Sequence, residues 1–286
     1  MKKDYFTSSW LTLREPYDIL ARNKNLKNFI KKSDSILDIG SGTGAFSRWC
    51  LENNILFDTM TLLDHDEKLL NNSQRITSRF CKDKRLILKK ISKKEFKVED
   101  PINNSSYEFK TLNKDLALSI NLTNNYDVLS MSALIDLLSA NYLSKLFDNI
   151  KCNKIIAMSL CFNGKINWNS KNSHDKYIVN EFNKEQQSVR EGNISLGYKS
   201  IEKVKLLSQK KKFKFTIYDS SWKLSSKSDN NKSFHQKYLE TIYKPLKRNN
   251  QVDKRILEKW FISKIKLINN GSLETRVGHN DIIVET

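Results

Sequence analysis

The stretch Ser35-Ile36-Leu37-Asp38-Ile39-Gly40-Ser41-Gly42-Thr43-Gly44-Ala45-Phe46 carries three of the eight glycines in a chain of 286 residues. Ile36, Leu37 and Ile39 read as the buried, largely β-branched end of a strand. The glycines allow a tight turn with close backbone approach, and from Phe46 to Leu51 an apolar pattern with helical spacing resumes. Strand, glycine turn and helix in that order form the local grammar of a nucleotide-type cofactor site.

Gly40, Gly42 and Ala45 also satisfy the loose dinucleotide pattern G-x-G-x-x-G/A. Asp38 argues against that cofactor, because a carboxylate two residues before the first glycine would face a doubly negative pyrophosphate in a partly desolvated loop. A cationic cofactor without phosphate suits the same carboxylate, and S-adenosylmethionine carries both a sulfonium and an ammonium group. The run Asp38 to Gly44 resembles, without a departure, motif I (D/E-x-G-x-G-x-G) of the class I S-adenosylmethionine-dependent methyltransferases. The phrases Trp10 to Asp18, Ser132 to Asp136, Phe182 to Gln186 and Val277 to Asp281 are similar to a set of bacterial members without an assigned substrate. The resemblance covers residues 30–162 at the level of motifs and the remainder by pattern. It implies a Rossmann-like, three-layer α/β/α fold whose seven-stranded, mostly parallel sheet has an antiparallel seventh strand. It also implies that Asp38, Gly40, Ser41, Gly42, Thr43 and Gly44 hold S-adenosylmethionine.

Further cofactor positions follow along the chain. A second strand, Phe57 to Leu63, ends at Asp64, twenty residues after Gly44, where an acidic residue holds a ribose through its hydroxyls. His65 is expected to line the adenine pocket, while Asp66, at the start of the next helix, suits an N-cap. A third core strand is placed at Tyr107 to Leu112. In related methyltransferases an acid just past it holds the adenine amino group, which assigns that role to Asp115 and the ring contact to Leu116. Tyr126 to Asp136 resembles motif IV, which sets Ser130 and Met131 beside the transferable methyl. It lacks the Asn-Pro-Pro-Tyr and Pro-Cys signatures of nucleic-acid enzymes. The first thirty residues read as a helical cap closing over the cofactor, with Pro16 at a helix start and Arg14 reaching the methionine carboxylate or an acidic substrate.

The acceptor side is expected after the fifth strand, Lys154 to Phe162, where polar side chains gather. His174 is the candidate general base, with Asp175 as N-cap or orienter. Asn183, Gln186 and Gln187 share one helical face as substrate contacts. A sixth strand at Phe213 to Tyr218, a helical stretch from Lys232 to Asn269 and a closing strand from Leu273 to Val284 complete the pattern, and the last places His279 near the substrate mouth. Residues 78–105 read as an insertion, with a short strand at Arg85 to Leu88 and a mobile loop from Ser92 to Asn104. The chain is expected to form a single methyltransferase domain over residues 1–286, with a cap at 1–30 and additions at 163–212 and 225–270.

Fifty Lys and Arg against 32 Asp and Glu give a net charge of +18, which raises an RNA substrate. The lysines are spread along the whole chain, and only Lys210 to Lys212 and the Lys89 to Lys97 region are dense. Four cysteines without C-x-x-C spacing point to neither a zinc site nor a disulfide framework, as a reducing cytosol would have it. No apolar leader follows Met1, and no run of about eighteen apolar residues occurs. The resulting expectation is a cytoplasmic, metal-free methyltransferase that passes a methyl to oxygen, nitrogen or sulfur of a small molecule by in-line displacement. An RNA methyltransferase and a non-catalytic S-adenosylmethionine-binding protein are the alternatives.

Overall fold

The computed structural model of the chain describes residues 7–30, 33–187, 189–190 and 193–286. Two helices open it, α1 (Ser8–Ala21) and α2 (Leu26–Ile30), followed by β1 (Ser33–Ile39), α3 (Ala45–Glu52), β2 (Phe57–Asp64) and α4 (Glu67–Asp83). A hairpin of β3 (Ile87–Lys90) and β4 (Glu95–Asp100) precedes β5 (Ser105–Asn113), α5 (Leu116–Ser119), β6 (Val128–Ser132) and α6 (Ala140–Asn149). The long β7 (Ile155–Trp168) leads to α7 (Asp175–Gln186), the short pair β8 (Val189–Arg190) and β9 (Asn193–Ile194), and α8 (Ser200–Lys211). The chain closes with β10 (Lys214–Asp219), β11 (Trp222–Ser225), α9 (Asp229–Arg248), α10 (Lys254–Asn269) and β12 (Glu274–Glu285).

One sheet runs in the order β10-β12-β7-β6-β1-β2-β5-β4-β3, with β11 paired to β12 as a tenth strand. The block from β5 to β7 is parallel, and β12 inserts antiparallel between β7 and β10. The seven strands expected from the sequence are β1, β2, β5, β6, β7, β10 and β12. Numbered along the chain, they cross the sheet as 3-2-1-4-5-7-6, and β3, β4 and β11 are additional.

Several expectations need correction. Pro16 lies inside α1 and not at a helix start. The segment from Ser92 to Asn104 is not a loop throughout. Phe96 and Val98 alternate with Glu95, Lys97 and Glu99, so β4 buries its apolar face and leaves the charges outside. Phe96 stacks on Phe109 of β5 at 4.8 Å, and Asp100 closes the turn by accepting the Ile102 and Asn103 N–H groups. The fifth core strand does not stop at Phe162 but continues to Trp168.

Helices cover both faces of the sheet. On one, Leu26 and Ile30 of α2, Phe46 and Trp49 of α3 and Leu70 of α4 pack over β1, β2 and β5. On the other, Leu143 and Phe147 of α6 and Val204 and Leu207 of α8 pack over Leu37, Leu129 and Met131. A third apolar cluster, built from α7, α9, α10 and β11, stands on the part of β7 and β12 that projects past the end of β6.

That projecting ribbon is close-packed. A Cβ on Gly278 would stand 2.1 Å from Asn163 Oδ1, in a side chain that donates through Nδ2 to Asn280 Oδ1 at 2.9 Å. Gly278→Ala is therefore expected to cost about 1–3 kcal/mol of unfolding free energy in urea titration. Adding Asn163→Ala to the same chain should return most of that loss, because the two changes act on one contact.

Candidate active site

β1 has β2 on one side and β6 on the other, so the direction of strand addition reverses between β1 and β6. In open α/β sheets, ligands bind in the crevice outside the carboxyl ends of the strands at such a switch point. The glycine loop starts there. Gly40, Gly42 and Gly44 have φ of +68°, +54° and +80°, a region that side chains with a Cβ rarely adopt. The loop is tied to β2 through the Gly40 and Ser41 N–H groups, both donating to Leu63 O at 2.8 and 3.0 Å.

Asp64, 5% exposed, continues the tie: Oδ2 accepts from Gly42 N–H at 2.8 Å and Oδ1 from Asp66 N–H at 2.9 Å. His65 Nδ1 lies 3.3 Å from Asp64 Oδ1 with about half of its side chain exposed. Asp66 caps α4, its side chain accepting from the Lys68 and Leu69 N–H groups.

Asp38 sits beside Ser130 in the pairing of β1 with β6 and is 1% exposed. Among the described residues neither of its carboxylate oxygens has a hydrogen-bond partner, and the same holds for the hydroxyls of Ser41, Thr43 and Ser130. Burial pushes the Asp38 carboxyl up to about 7, with Asp64 adding to the rise and Ser130 and Arg22 opposing it. Arg22 itself is 3% exposed. It donates to Ser159 Oγ at 3.1 Å and Ser132 Oγ at 3.0 Å, and its guanidinium lies over the rings of Phe46 and Trp49. Its Nη1 has no hydrogen-bond partner among the described residues.

A second arginine fixes how α1 lies over the loop. Arg48 of α3, 1% exposed, pairs with both oxygens of Glu15 at 2.6 and 2.7 Å, and donates to Thr43 O at 2.6 Å and Thr77 Oγ1 at 3.2 Å. With α1 seated in this way, Leu11 Cδ1 would be 3.0 Å from a Cβ on Gly42, and Leu134 closes over Gly40 from the other side. Neither Arg22 nor the Arg48–Glu15 pair is marked by local sequence. The only signal is that Arg48 interrupts the apolar run from Phe46 to Leu51.

The remaining sequence candidates fall into three places. Asp115 is exposed at the end of β5, and Leu116, the first residue of α5, packs against the α6 side of the core. Met131 points away from Ser130 into that same core and is fully buried. Arg14 pairs with Asp18 at 2.8 Å, and its guanidinium lies 5.1 Å above the Trp222 ring. His279 is near it: the Arg14 charge adds to burial in lowering the imidazole to about 3, and its ring is 4.9 Å from Trp222.

His174 and Asp175 are brought to α10 rather than to the glycine loop. Asp175 accepts from Trp260 Nε1 at 2.9 Å and pairs with the buried Lys264 at 2.9 Å. His174, half-buried, donates its backbone N–H to Asn172 Oδ1. Asn183 donates to Gly164 O at 3.0 Å and Gln187 to Leu196 O at 3.2 Å, while Gln186 packs against Gly197. Asn183 thus ties α7 back to β7, and Gln186 and Gln187 close it onto the chain that follows.

The 3-2-1-4-5-7-6 strand order with one antiparallel strand, and the glycine loop at its switch point, make this the Rossmann-like fold of the class I methyltransferases. Neither a protein-family model nor a curated protein sequence matches the chain. Among solved structures, it is similar to a cyclopropane-fatty-acyl-phospholipid synthase-like protein from Lactobacillus casei. The TM-score is 0.51 at 12% identity, over 97% of this chain and 94% of that one. A methyltransferase from Archaeoglobus fulgidus matches with a TM-score of 0.42 and 13% identity, over 97% of this chain and 99% of the other. The Haemonchus contortus phospholethanolamine N-methyltransferase 2 matches with a TM-score of 0.44 and 14% identity; 99% of this chain spans only 59% of that protein. At these identities the likeness concerns the fold.

Removing one partner of a buried ion pair leaves the other charge uncompensated, at a cost of about 3–5 kcal/mol. Glu15→Gln is expected to lower the unfolding free energy by about 3 kcal/mol in urea titration. Lys184→Ala, which breaks the exposed Lys184–Glu181 pair, should change it by less than about 1 kcal/mol.

Proposed function

We propose that the chain is an S-adenosylmethionine-dependent methyltransferase with a small-molecule acceptor. The reading is carried by the unpartnered groups at the head of β1: both oxygens of Asp38, Nη1 of Arg22 and the hydroxyls of Ser41, Thr43 and Ser130. Folded proteins leave few buried polar groups unsatisfied, and each costs about 1–3 kcal/mol. Here they gather at the switch point of the sheet and include both signs of charge, which is what a buried zwitterion requires.

The donor set fits S-adenosylmethionine. Asp38 would take the ammonium and lie nearest the positive charge of the cofactor, and Arg22 Nη1 would take its carboxylate. Arg22 thus joins Arg14, whose guanidinium is committed to Asp18, as the candidate for that role. Ser41, Thr43, Ser130 and the glycine backbone would line the site. Asp64 would hold the ribose, since each of its oxygens keeps a second lone pair beyond the N–H it already accepts. His65, Asp115 and Leu116 remain the candidates on the adenine side. The cofactor supplies a methyl carbon activated by a sulfonium. The chain has to align the acceptor with it and exclude water, and orientation alone can supply much of the rate. A base is needed only for an acceptor that must lose a proton.

A small molecule is favoured over RNA because the dense lysines are interleaved with carboxylates. Lys89 pairs with Glu99 across the β3–β4 hairpin, Lys110 with Glu95, and Lys211 with Asp148. The other lysines are spread along the whole chain and do not gather in one sequence cluster of the kind phosphate binding uses. Among the described residues, no helix is long and apolar enough to cross a membrane.

Calorimetric titration with S-adenosylmethionine tests the reading, and the absence of binding would overturn it. The free Asp38 carboxyl, raised to about 7 by burial with Asp64, Ser130 and Arg22 around it, must be ionised to receive a cation. Below that pH the ligand has to displace a proton, so the dissociation constant should rise severalfold from pH 8 to pH 6, approaching tenfold per unit. Asp38→Asn should bind more weakly and lose this slope. A methyl-label screen over small-molecule and RNA extracts then identifies the acceptor, and label confined to RNA would replace the small-molecule reading.

A further inference from the structure

The part of β7 and β12 that projects past β6 carries a nest of aromatic rings facing α1. Phe162 and His279 are direct partners in the β7–β12 register, with ring centroids 6.0 Å apart. Trp222 of β11 lies 4.9 Å from His279, and Tyr238 of α9 lies 5.9 Å from Trp222. His279 and Tyr238 are 6% and 5% exposed. Yet among the described residues His279 Nδ1 and the Tyr238 hydroxyl have no hydrogen-bond partner. An apolar nest with two buried polar atoms left open, from different elements, is an arrangement that a ligand completes.

The charges around the nest define what that ligand is. Arg14 is the cation beside it, and its Nε and Nη2 are both held by Asp18, which also accepts from Trp222 Nε1 at 3.0 Å. That pair is neutral overall. Burial holds the imidazole at about 3, uncharged at neutral pH, so it offers a lone pair or an N–H but no charge. An anionic or cationic ligand would find no uncompensated partner and would bear the full cost of its desolvation. Trp222 already takes one flat group, the Arg14 guanidinium, on its face.

Resting on the methyltransferase reading above, we propose that Phe162, Trp222, Tyr238 and His279 form the acceptor subsite, and that the acceptor is an uncharged, planar molecule whose hydroxyl or N–H hydrogen-bonds to His279 Nδ1 and Tyr238. The helix α1 spans both this subsite and the glycine loop: Arg14 and Asp18 stand on the nest, while Leu11 and Glu15 stand on the loop.

The test uses the full chain and three probes of similar size: phenol, anisole, which lacks the donor, and benzenesulfonate, which is charged. Each is titrated by saturation-transfer NMR, and S-adenosylhomocysteine is titrated in parallel by calorimetry. Phenol should bind at least fivefold tighter than anisole and tenfold tighter than benzenesulfonate. His279→Phe and Tyr238→Phe should each bring phenol to within about twofold of anisole while anisole itself is unchanged. Tyr238→Phe removes a single oxygen and keeps the packing, so it preserves the test should His279→Phe not fold. Equal binding of phenol and anisole by the wild type, strongest binding of benzenesulfonate, or phenol selectivity that survives Tyr238→Phe would each overturn the proposal. A failed S-adenosylhomocysteine titration with phenol selectivity intact would instead overturn the cofactor reading and leave the subsite standing as a binding site.

Discussion

A guanidinium that is 1% exposed has to be neutralised and hydrogen-bonded where it stands, and Arg48 meets that demand with three separate parts of the chain. Glu15 supplies the charge from α1, Thr43 a carbonyl from the glycine loop, and Thr77 a hydroxyl from α4. The loop, the helix above it and the helix beside it are therefore fixed by one cation. Because Glu15 is held, the other faces of α1 have little choice. Arg14 and Asp18 fall on Trp222, and Arg22 falls on Ser132 at the end of β6 and on Ser159 within β7.

The far end of α1 is held differently. Asp281, fully buried in β12, accepts the N–H of Asn23 at 2.7 Å and that of Leu160 at 2.7 Å. The β7–β12 register shifts at this point, and Leu160 has φ of +57°, a strained value for a branched side chain. Burial raises the Asp281 carboxyl, while the two N–H groups and the Arg22 charge oppose the rise. The bulge thus presents a backbone donor to an acid that also grips Asn23, just past the C-cap of α1, so the helix is held at Glu15 and again beyond its last turn.

What the sequence made legible was local. The glycines, the strand before them, the spacing to Asp64 and the cap at Asp66 each depend on residues within one βαβ unit, and the structure places all of them together. Partner choice over long separations left no such trace. Glu15 and Arg48 are 33 residues apart, and Arg22 and Ser159 are 137 apart. Asp175, expected beside a substrate, finds Lys264 and Trp260 in a helix 85 or more residues away. Phe96 and Val98 were masked by the charges around them, since a strand with one solvated face has much of the composition of a loop. The extension of β7 was masked by Gly164, whose φ of +82° serves a bulge within the strand and not its end.

The same bulges decide how the chain travels. After β7 turns at Gly164, the backbone wanders through α7 and returns at Tyr198, whose Cβ is 3.0 Å from where a Gly164 side chain would begin. It leaves β10 at Ser220, passes through β11, α9 and α10, and comes back along β12 to His279, whose carbonyl accepts the Ser220 N–H at 3.0 Å. Both excursions close on themselves, and doubling the length of a closed loop adds only about 0.6 kcal/mol of entropy. The wall built by these excursions is therefore topologically detachable from the strands that carry the glycine loop. Residues can be gained or lost within it while the strand path, and the loop at its switch point, stay where they are.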